Sequence, residues 1–110
     1  FYIMNDKLVS NEIIALDKRL KKNPEMVFRK EEDGAFLFDP ETGNLKYINT
    51  NGVGIYELCD GRKAVGEIIE QMVKFYPEVA AEQIIADTND FLRSMTQMKF
   101  LIITGQDGAA

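Results

Sequence analysis

The chain has 110 residues, of which 45% are hydrophobic and 28% charged, and its formal net charge is −5. This length and this balance are typical of one globular domain and exclude an intrinsically disordered protein. The acidic charge argues against a protein that coats nucleic acid or an anionic membrane, because both functions depend on an excess of Lys and Arg.

The first segment, residues 1–23, opens with an apolar run over residues 1–4 and then takes a helical pattern. Ser10 is a suitable N-cap, apolar residues then recur among charged ones, and a Pro follows the pattern. The pattern predicts a short amphipathic helix over residues 10–22. We expect this extension to be appended to a domain that spans residues 24–104.

The next segment changes to the alternating pattern of β-strands. Runs rich in β-formers cover residues 26–29, 35–38 and 45–48, and turns that contain Gly34 and Gly43 separate them. Gly34 is expected to supply the positive φ of the first turn. Because short turns join neighbouring antiparallel strands, the pattern predicts a three-stranded antiparallel meander.

The segment after the strands has mostly helical spacing. Thr50 is a suitable N-cap, and Gly61 and Pro77 follow apolar-periodic stretches as typical helix terminators. The pattern predicts helices over residues 50–58, 65–76 and about 79–98, a last strand over 100–103 and a frayed tail over 105–110. Three strands followed by three helices indicate an α+β winged helix-turn-helix domain with an N-terminal helical extension.

Short motifs in this domain follow one another in a distinctive order. They are Pro40-Glu41-Thr42-Gly43, Ile48-Asn49, Gly52, Ile55, Leu58-Cys59-Asp60-Gly61, Val65-Gly66-Glu67-Ile68, and then Asp87, Phe91, Leu92 and Met95. In this order the chain resembles the PqqD family, named for the pyrroloquinoline quinone biosynthesis protein D, over about residues 25–103. Two positions depart from the family: Ala64 stands where Thr is usual, and Lys99 stands where Gly is common.

The resemblance implies a non-catalytic peptide chaperone without a cofactor or a metal. Proteins of this family bind the leader segment of a ribosomally synthesised precursor peptide. They present it to a modifying enzyme, often a radical SAM enzyme, as in pyrroloquinoline quinone biosynthesis. The expected partners are therefore a leader peptide and such an enzyme, with neither nucleic acid nor a membrane among them.

A leader peptide binds such a domain by adding itself as a strand to an exposed sheet edge. Main-chain hydrogen bonds provide affinity, and the groove between the third strand and the third helix provides pockets for side chains. The predicted peptide-binding residues are Leu45, Lys46, Tyr47 and Ile48 on the strand, and Ile84, Asp87, Thr88, Phe91 and Met95 on the helix.

Several of these residues have a second interpretation. The spacing of Ile84, Phe91 and Met95 also fits the core of a small domain, in which an apolar helix stripe packs inward. Lys46 and Asp87 suit the rim of a groove, where charge selects register, and they also suit an ordinary solvated surface. The sequence leaves both interpretations open.

The composition offers little for catalysis. It contains no His, which removes the usual general base, and one Cys, which excludes an internal disulfide and a Cys-only metal site. We interpret Cys59 as a buried packing residue, because the neighbouring Asp60 disfavours a thiolate. A free thiol suits the reducing cytoplasm, and no signal peptide or membrane span is apparent, so we expect a cytoplasmic protein that is not an enzyme.

Two other functions fit the predicted fold. A DNA-binding regulatory domain shares the winged-helix arrangement, although the predicted third helix has three acidic residues against the single Arg93 from residue 82 onwards. An assembly domain would use residues 1–22 to pack on a second copy and form a homodimer. The same segment is also expected to cover the peptide groove, in its own chain or in a partner, until a ligand displaces it.

Overall fold

The computed structural model describes residues 15–104, which form six β-strands and three α-helices. The strands belong to two three-stranded sheets, and every pairing between them is antiparallel. In chain order the elements are β1 (Arg19–Lys22), β2 (Val27–Glu31), β3 (Gly34–Phe38), β4 (Leu45–Asn49), α1 (Thr50–Leu58), β5 (Asp60–Ala64), α2 (Val65–Phe75), α3 (Ala81–Gln97) and β6 (Leu101–Thr104).

One sheet, which we call the meander sheet, contains β2, β3 and β4 in that order and confirms the predicted meander. Its second hairpin closes through the Asp39 N–H, which donates to the Asn44 carbonyl oxygen at 2.8 Å, and Gly43 takes the left-handed φ of 81° in the turn. Gly34 does not adopt a positive φ, so the role predicted for it is wrong. Its absent side chain instead makes room for a neighbouring ring, as described below.

The other sheet, which we call the discontinuous sheet, contains β5, β1 and β6 in that order and was not predicted. The central strand β1 pairs with β6 from Arg19↔Thr104 to Lys22↔Leu101, and with β5 on its other side. The predicted helix over residues 10–22 is therefore wrong for residues 19–22, and residues 10–14 lie outside the described part of the chain. Two flanking strands satisfy the backbone groups of β1, which a local helical pattern cannot anticipate.

Residues 19–22 also belong to the core rather than to an appended extension. Leu20 is 0% exposed, and it packs in one hydrophobic cluster with residues of both sheets and all three helices. The α+β class and the three helices are confirmed. The division of the strands into two sheets differs from the single three-stranded sheet of the predicted winged helix-turn-helix, and β5 occupies the connection between the first two helices, where no strand was predicted.

The helix ends follow from local hydrogen bonding. The N-cap of α1 is Asn49 rather than Thr50, and its Oδ1 accepts from the Gly52 N–H at 2.9 Å. Ala64 has no side-chain acceptor to cap α2, as its sequence position predicts, and the Glu67 carboxylate accepts the Ala64 N–H at 2.8 Å. None of the helices in residues 15–104 is long and apolar enough to cross a membrane.

The end of α3 keeps its geometry despite the Lys at the position where Gly is common. Lys99 adopts a left-handed φ of 66°, and the Phe100 N–H donates to the Met95 carbonyl oxygen at 3.0 Å. This six-to-one bond is typical of a Schellman cap, in which Gly usually holds the left-handed position. The backbone of Lys99 therefore adopts a conformation that is strained for a residue with a Cβ, so that the chain can turn into β6.

Candidate functional site

The outer edge of β4 is open to a further strand. One side of β4 pairs with β3, and within residues 15–104 no strand pairs with the other side. The bond from the Asp39 N–H to the Asn44 carbonyl oxygen fixes which residues face β3, because bonded and non-bonded pairs alternate along an antiparallel ladder. Lys46 consequently bonds to β3, whereas Leu45 and Tyr47 direct their backbone N–H and C=O groups to the open edge.

The side chains of β4 alternate between the core and the solvent-facing side of the meander sheet. Ile48 is 1% exposed on the core side, and Lys46 shares that side at the rim and is partly buried. Leu45 and Tyr47 lie on the opposite side and are 62% and 44% exposed. The edge thus combines unpaired main-chain groups with an adjacent apolar surface, which are the two features that an added strand uses.

Tyr47 is held in one position on this surface. Its hydroxyl donates to the Asp33 carbonyl oxygen at 2.8 Å, and its ring packs edge-on against Phe36 with 5.4 Å between centroids. The ring crosses Gly34, where a Cβ would overlap both the Tyr47 hydroxyl and the Ile48 carbonyl oxygen. Desolvation, followed by the nearby Asp33, raises the pKa of Tyr47, so the phenol stays neutral and remains a hydrogen-bond donor.

Helix α3 directs four of the five helical residues predicted to bind peptide into the core. The ring of Phe91 lies beside Gly52 of α1, which also borders Ile48 of β4, so α1 packs against both α3 and β4. In this conformation a ligand reaches these side chains only if their neighbours move, and their contact with a peptide stays a prediction. The four residues, each 0% exposed, are Ile84, Thr88, Phe91 and Met95.

Two polar groups of α3 differ in their burial: Thr88 is fully buried, whereas Asp87 is only partly buried. The Thr88 Oγ1 is buried and has no hydrogen-bond partner among the described residues, which is a costly state for a hydroxyl. Partial burial raises the pKa of Asp87, an effect that a hydrogen bond from Gln83 partly offsets. A peptide N–H or hydroxyl beside either group would lower the cost of burying it.

Two other residues of interest are not in a form that catalysis requires. The Cys59 thiol donates to the Ile55 carbonyl oxygen at 3.4 Å, and burial raises its pKa to about 12, so it is protonated at neutral pH. Asp60 accepts hydrogen bonds from Lys63 and from the Arg62 and Lys63 backbone, which hold its pKa well below its usual range. Cys59 is therefore the packing residue that we predicted, and Asp60 is a fixed carboxylate of a turn.

Helix α3 has no basic side chain positioned to contact DNA. Its one basic residue, Arg93, is 5% exposed, whereas Glu82 near its start is exposed. A recognition helix needs Arg, Lys, Asn or Gln on its exposed face to contact bases and phosphates. The charge of α3 therefore opposes the DNA-binding alternative.

The sequence reasoning missed an apolar surface on the solvent-facing side of the meander sheet. β3 is apolar at successive positions, with Ala35 and Leu37 on the core side and Phe36 and Phe38 on the other. A strand that is apolar on both faces is normally covered on both. That double pattern was the signal that could have revealed a second surface.

Comparisons with known proteins identify a family and a solved structure with a similar fold. The family model described as coenzyme PQQ synthesis protein D (PqqD) matches residues 34–101, a range that includes β4 and α3. The structure of TbiB1 in complex with the TbiA(beta) leader peptide has a similar fold, with a TM-score of 0.64 and 24% identity. The match covers 82% of this chain and 98% of the TbiB1 chain. No curated protein sequence matches the chain.

Proposed function

The chain belongs to the PqqD family, and from this premise we propose that it binds the leader segment of a ribosomally synthesised precursor peptide and presents it to a modifying enzyme. The observation that carries the proposal is the open edge of β4, with the outward main-chain groups of Leu45 and Tyr47. TbiB1, which has a similar fold, was solved with a leader peptide bound, and this supports the same ligand class here. The family resemblance favours a radical SAM enzyme as the partner that receives the peptide.

The leader peptide adds a fourth strand to the meander sheet at this edge. The N–H and C=O groups of Leu45 and Tyr47 offer four main-chain hydrogen bonds, each worth about 1 kcal/mol net. Even before the entropic cost of association is subtracted, four such bonds give about 4 kcal/mol, which corresponds to a dissociation constant of roughly 1 mM. Side-chain contacts must therefore supply both the remaining affinity and the choice of peptide.

Groups that supply this selectivity lie on both sides of the added strand. Leu45 and Tyr47 provide apolar contact on the solvent-facing side. Asp87, which is partly exposed, offers a polar contact on the side of α3, and the buried Thr88 hydroxyl, which has no partner among residues 15–104, adds one if its neighbours move. Lys46 at the rim favours an acidic group in the peptide, which fixes register more than it adds affinity. The protonated Cys59 and the fixed carboxylate of Asp60 support a role in binding rather than in catalysis.

A proline substitution at one position of β4 separates main-chain recognition of the peptide from side-chain contact. Leu45→Pro removes an N–H that points to the open edge, a place where a sheet tolerates proline. Leu45→Ala is the matched control, since it removes most of the exposed side chain and keeps the N–H. The ligand is the synthetic leader segment of a ribosomal precursor peptide, labelled for fluorescence anisotropy.

We expect Leu45→Pro to weaken peptide binding by on the order of tenfold, equivalent to about 1.4 kcal/mol. Leu45→Ala should weaken it less, because main-chain bonds at this position remain. Circular dichroism and a denaturation curve verify that both variants fold. Equal peptide affinity of a folded Leu45→Pro variant and the wild type would show that the peptide does not use this edge.

A further inference from the structure

The solvent-facing side of the meander sheet carries two rows of side chains that cross all three strands. The strand register places them opposite one another, and five of the six are large and apolar. The core lies on the other side of the sheet, where Leu37 and Ile48 are buried, so these side chains lie outside the core. The first row is Val27, Phe38 and Leu45, and the second is Arg29, Phe36 and Tyr47.

This surface, which we call the outer face, is open to solvent. Val27 and Leu45, at opposite ends of the first row, are 49% and 62% exposed. Between them lies a shallow depression of about 410 Å³, lined by side chains of both rows. Contiguous exposed apolar surface on a small soluble domain marks an interaction site more often than an accident of packing.

The outer face is too small to hold a second copy of the chain stably by itself. Three strands about 4.8 Å apart and two rows about 7 Å apart define a patch of a few hundred Å² at most. A stable complex buries about 800 Å² on each partner. The size therefore fits a transient partner, or a partner that contacts something else as well.

The outer face continues into the open edge of β4. A partner on the outer face would therefore also contact whatever is bound at that edge. The argument rests on the proposed function: a peptide added to β4 becomes the fourth strand of the meander sheet. Its alternate side chains then extend both rows, next to Leu45 and Tyr47, because side chains of neighbouring strands align on one face. Binding of the peptide thus enlarges the apolar surface on the side of the sheet that faces away from α3.

We propose that the outer face is the docking surface for the enzyme that modifies the peptide, and that this enzyme contacts the sheet and the bound peptide together. The enzyme would present an apolar patch with a carboxylate opposite Arg29. The Arg29 side chain is 76% exposed and pairs at 2.8 Å with Glu31 of the same strand, an exposed pair that is easily exchanged. Because the surface is complete only with peptide, the enzyme binds the loaded protein in preference to the empty one.

A charge placed at the far end of the outer face tests this inference without touching the peptide edge. Val27 lies on β2, two strands away from the open edge, so Val27→Lys changes the outer face alone. The matched control is Ile103→Lys, on β6 of the discontinuous sheet, where the side chain is 45% exposed. The probe is a purified radical SAM enzyme that modifies the bound peptide, titrated against the full chain with and without saturating leader peptide.

We expect Val27→Lys to weaken enzyme binding at least tenfold while its peptide affinity stays within twofold of the wild type. Ile103→Lys should change neither affinity. Wild-type protein should bind the enzyme several-fold more tightly when peptide is present.

Three results would overturn the inference. One is enzyme binding by Val27→Lys that equals the wild type, and another is no enzyme binding by the loaded wild type. The third is a stable dimer in sedimentation that Val27→Lys dissociates, since the face would then join two copies. Peptide titration without enzyme reports the proposed function separately. Its failure in the wild type removes both claims, whereas intact peptide binding with unchanged enzyme affinity in Val27→Lys removes only the docking surface.

Discussion

The two sheets of this domain each contain three strands, but the strands are consecutive in one sheet and far apart along the chain in the other. The meander sheet is formed by three consecutive strands within residues 27–49, whereas the discontinuous sheet gathers strands from residues 19–22, 60–64 and 101–104. The first leaves an edge and an apolar face exposed, and the second places its central strand in the core through Leu20. The comparison indicates that long-range pairing closes the domain, while the locally formed sheet carries the edge and the face that we propose as surfaces for partners.

Leu20→Ala tests whether β1 belongs to the core, and it has the largest expected effect on stability. Removal of a fully buried Leu side chain leaves a cavity and should lower the free energy of unfolding by about 2–5 kcal/mol. Chemical denaturation measures the loss. Lys21→Ala on the same strand is exposed and should change stability by less than about 0.5 kcal/mol. Overlapping unfolding curves for Leu20→Ala and the wild type would mean that β1 is not part of the core.

Gly34→Ala tests how the meander sheet holds its exposed surface. The new methyl group would overlap a backbone carbonyl oxygen and the Tyr47 hydroxyl. We therefore expect the free energy of unfolding to fall by about 1–3 kcal/mol. Gly54→Ala is the control, because nothing lies within 4 Å of the Cβ position of this residue in α1. Alanine is a better helix former than glycine, so this substitution should raise the free energy of unfolding by roughly 0.5–1 kcal/mol. Thermal unfolding of both variants gives the comparison, and a Gly34→Ala protein as stable as the wild type would contradict the packing of Tyr47.

Lys99→Gly tests the turn that delivers β6 to the discontinuous sheet and has the smallest expected effect. Glycine adopts the left-handed conformation of this position without strain, so stability should rise by up to about 1 kcal/mol. Lys99→Ala retains the Cβ and should give no gain. If the two substitutions change the denaturation midpoint equally, the left-handed turn does not store the strain that we infer.

The contrast between the sheets also explains what the sequence reveals about the fold. The meander was predictable because its strands alternate over short distances and its second turn is encoded locally, by a Pro and by the left-handed Gly43. β1 has one apolar residue among charged ones, and nothing near it specifies that its partners are β5 and β6. Periodicity over four residues does not separate a strand from the end of a helix, so only long-range pairing decides.

The candidate site, like the fold, was predictable from the sequence only where local patterns specify it. Strand periodicity correctly placed Leu45 and Tyr47 on the last strand of the meander. The spacing of Ile84, Phe91 and Met95 predicted one stripe of α3 but not which partner it faces, and tertiary packing places it in the core. The outer face depends on which side of the sheet receives the helices, a choice that strand alternation alone does not encode.

Amide hydrogen exchange along β4, measured by NMR with and without leader peptide, tests the central claim most directly. In the free protein the Lys46 amide is protected by β3, whereas the Leu45 and Tyr47 amides point to the open edge. The account predicts that saturating peptide slows exchange at Leu45 and Tyr47 by at least about tenfold and leaves Lys46 nearly unchanged. Binding of the peptide without slower exchange at Leu45 and Tyr47 would contradict strand addition at this edge.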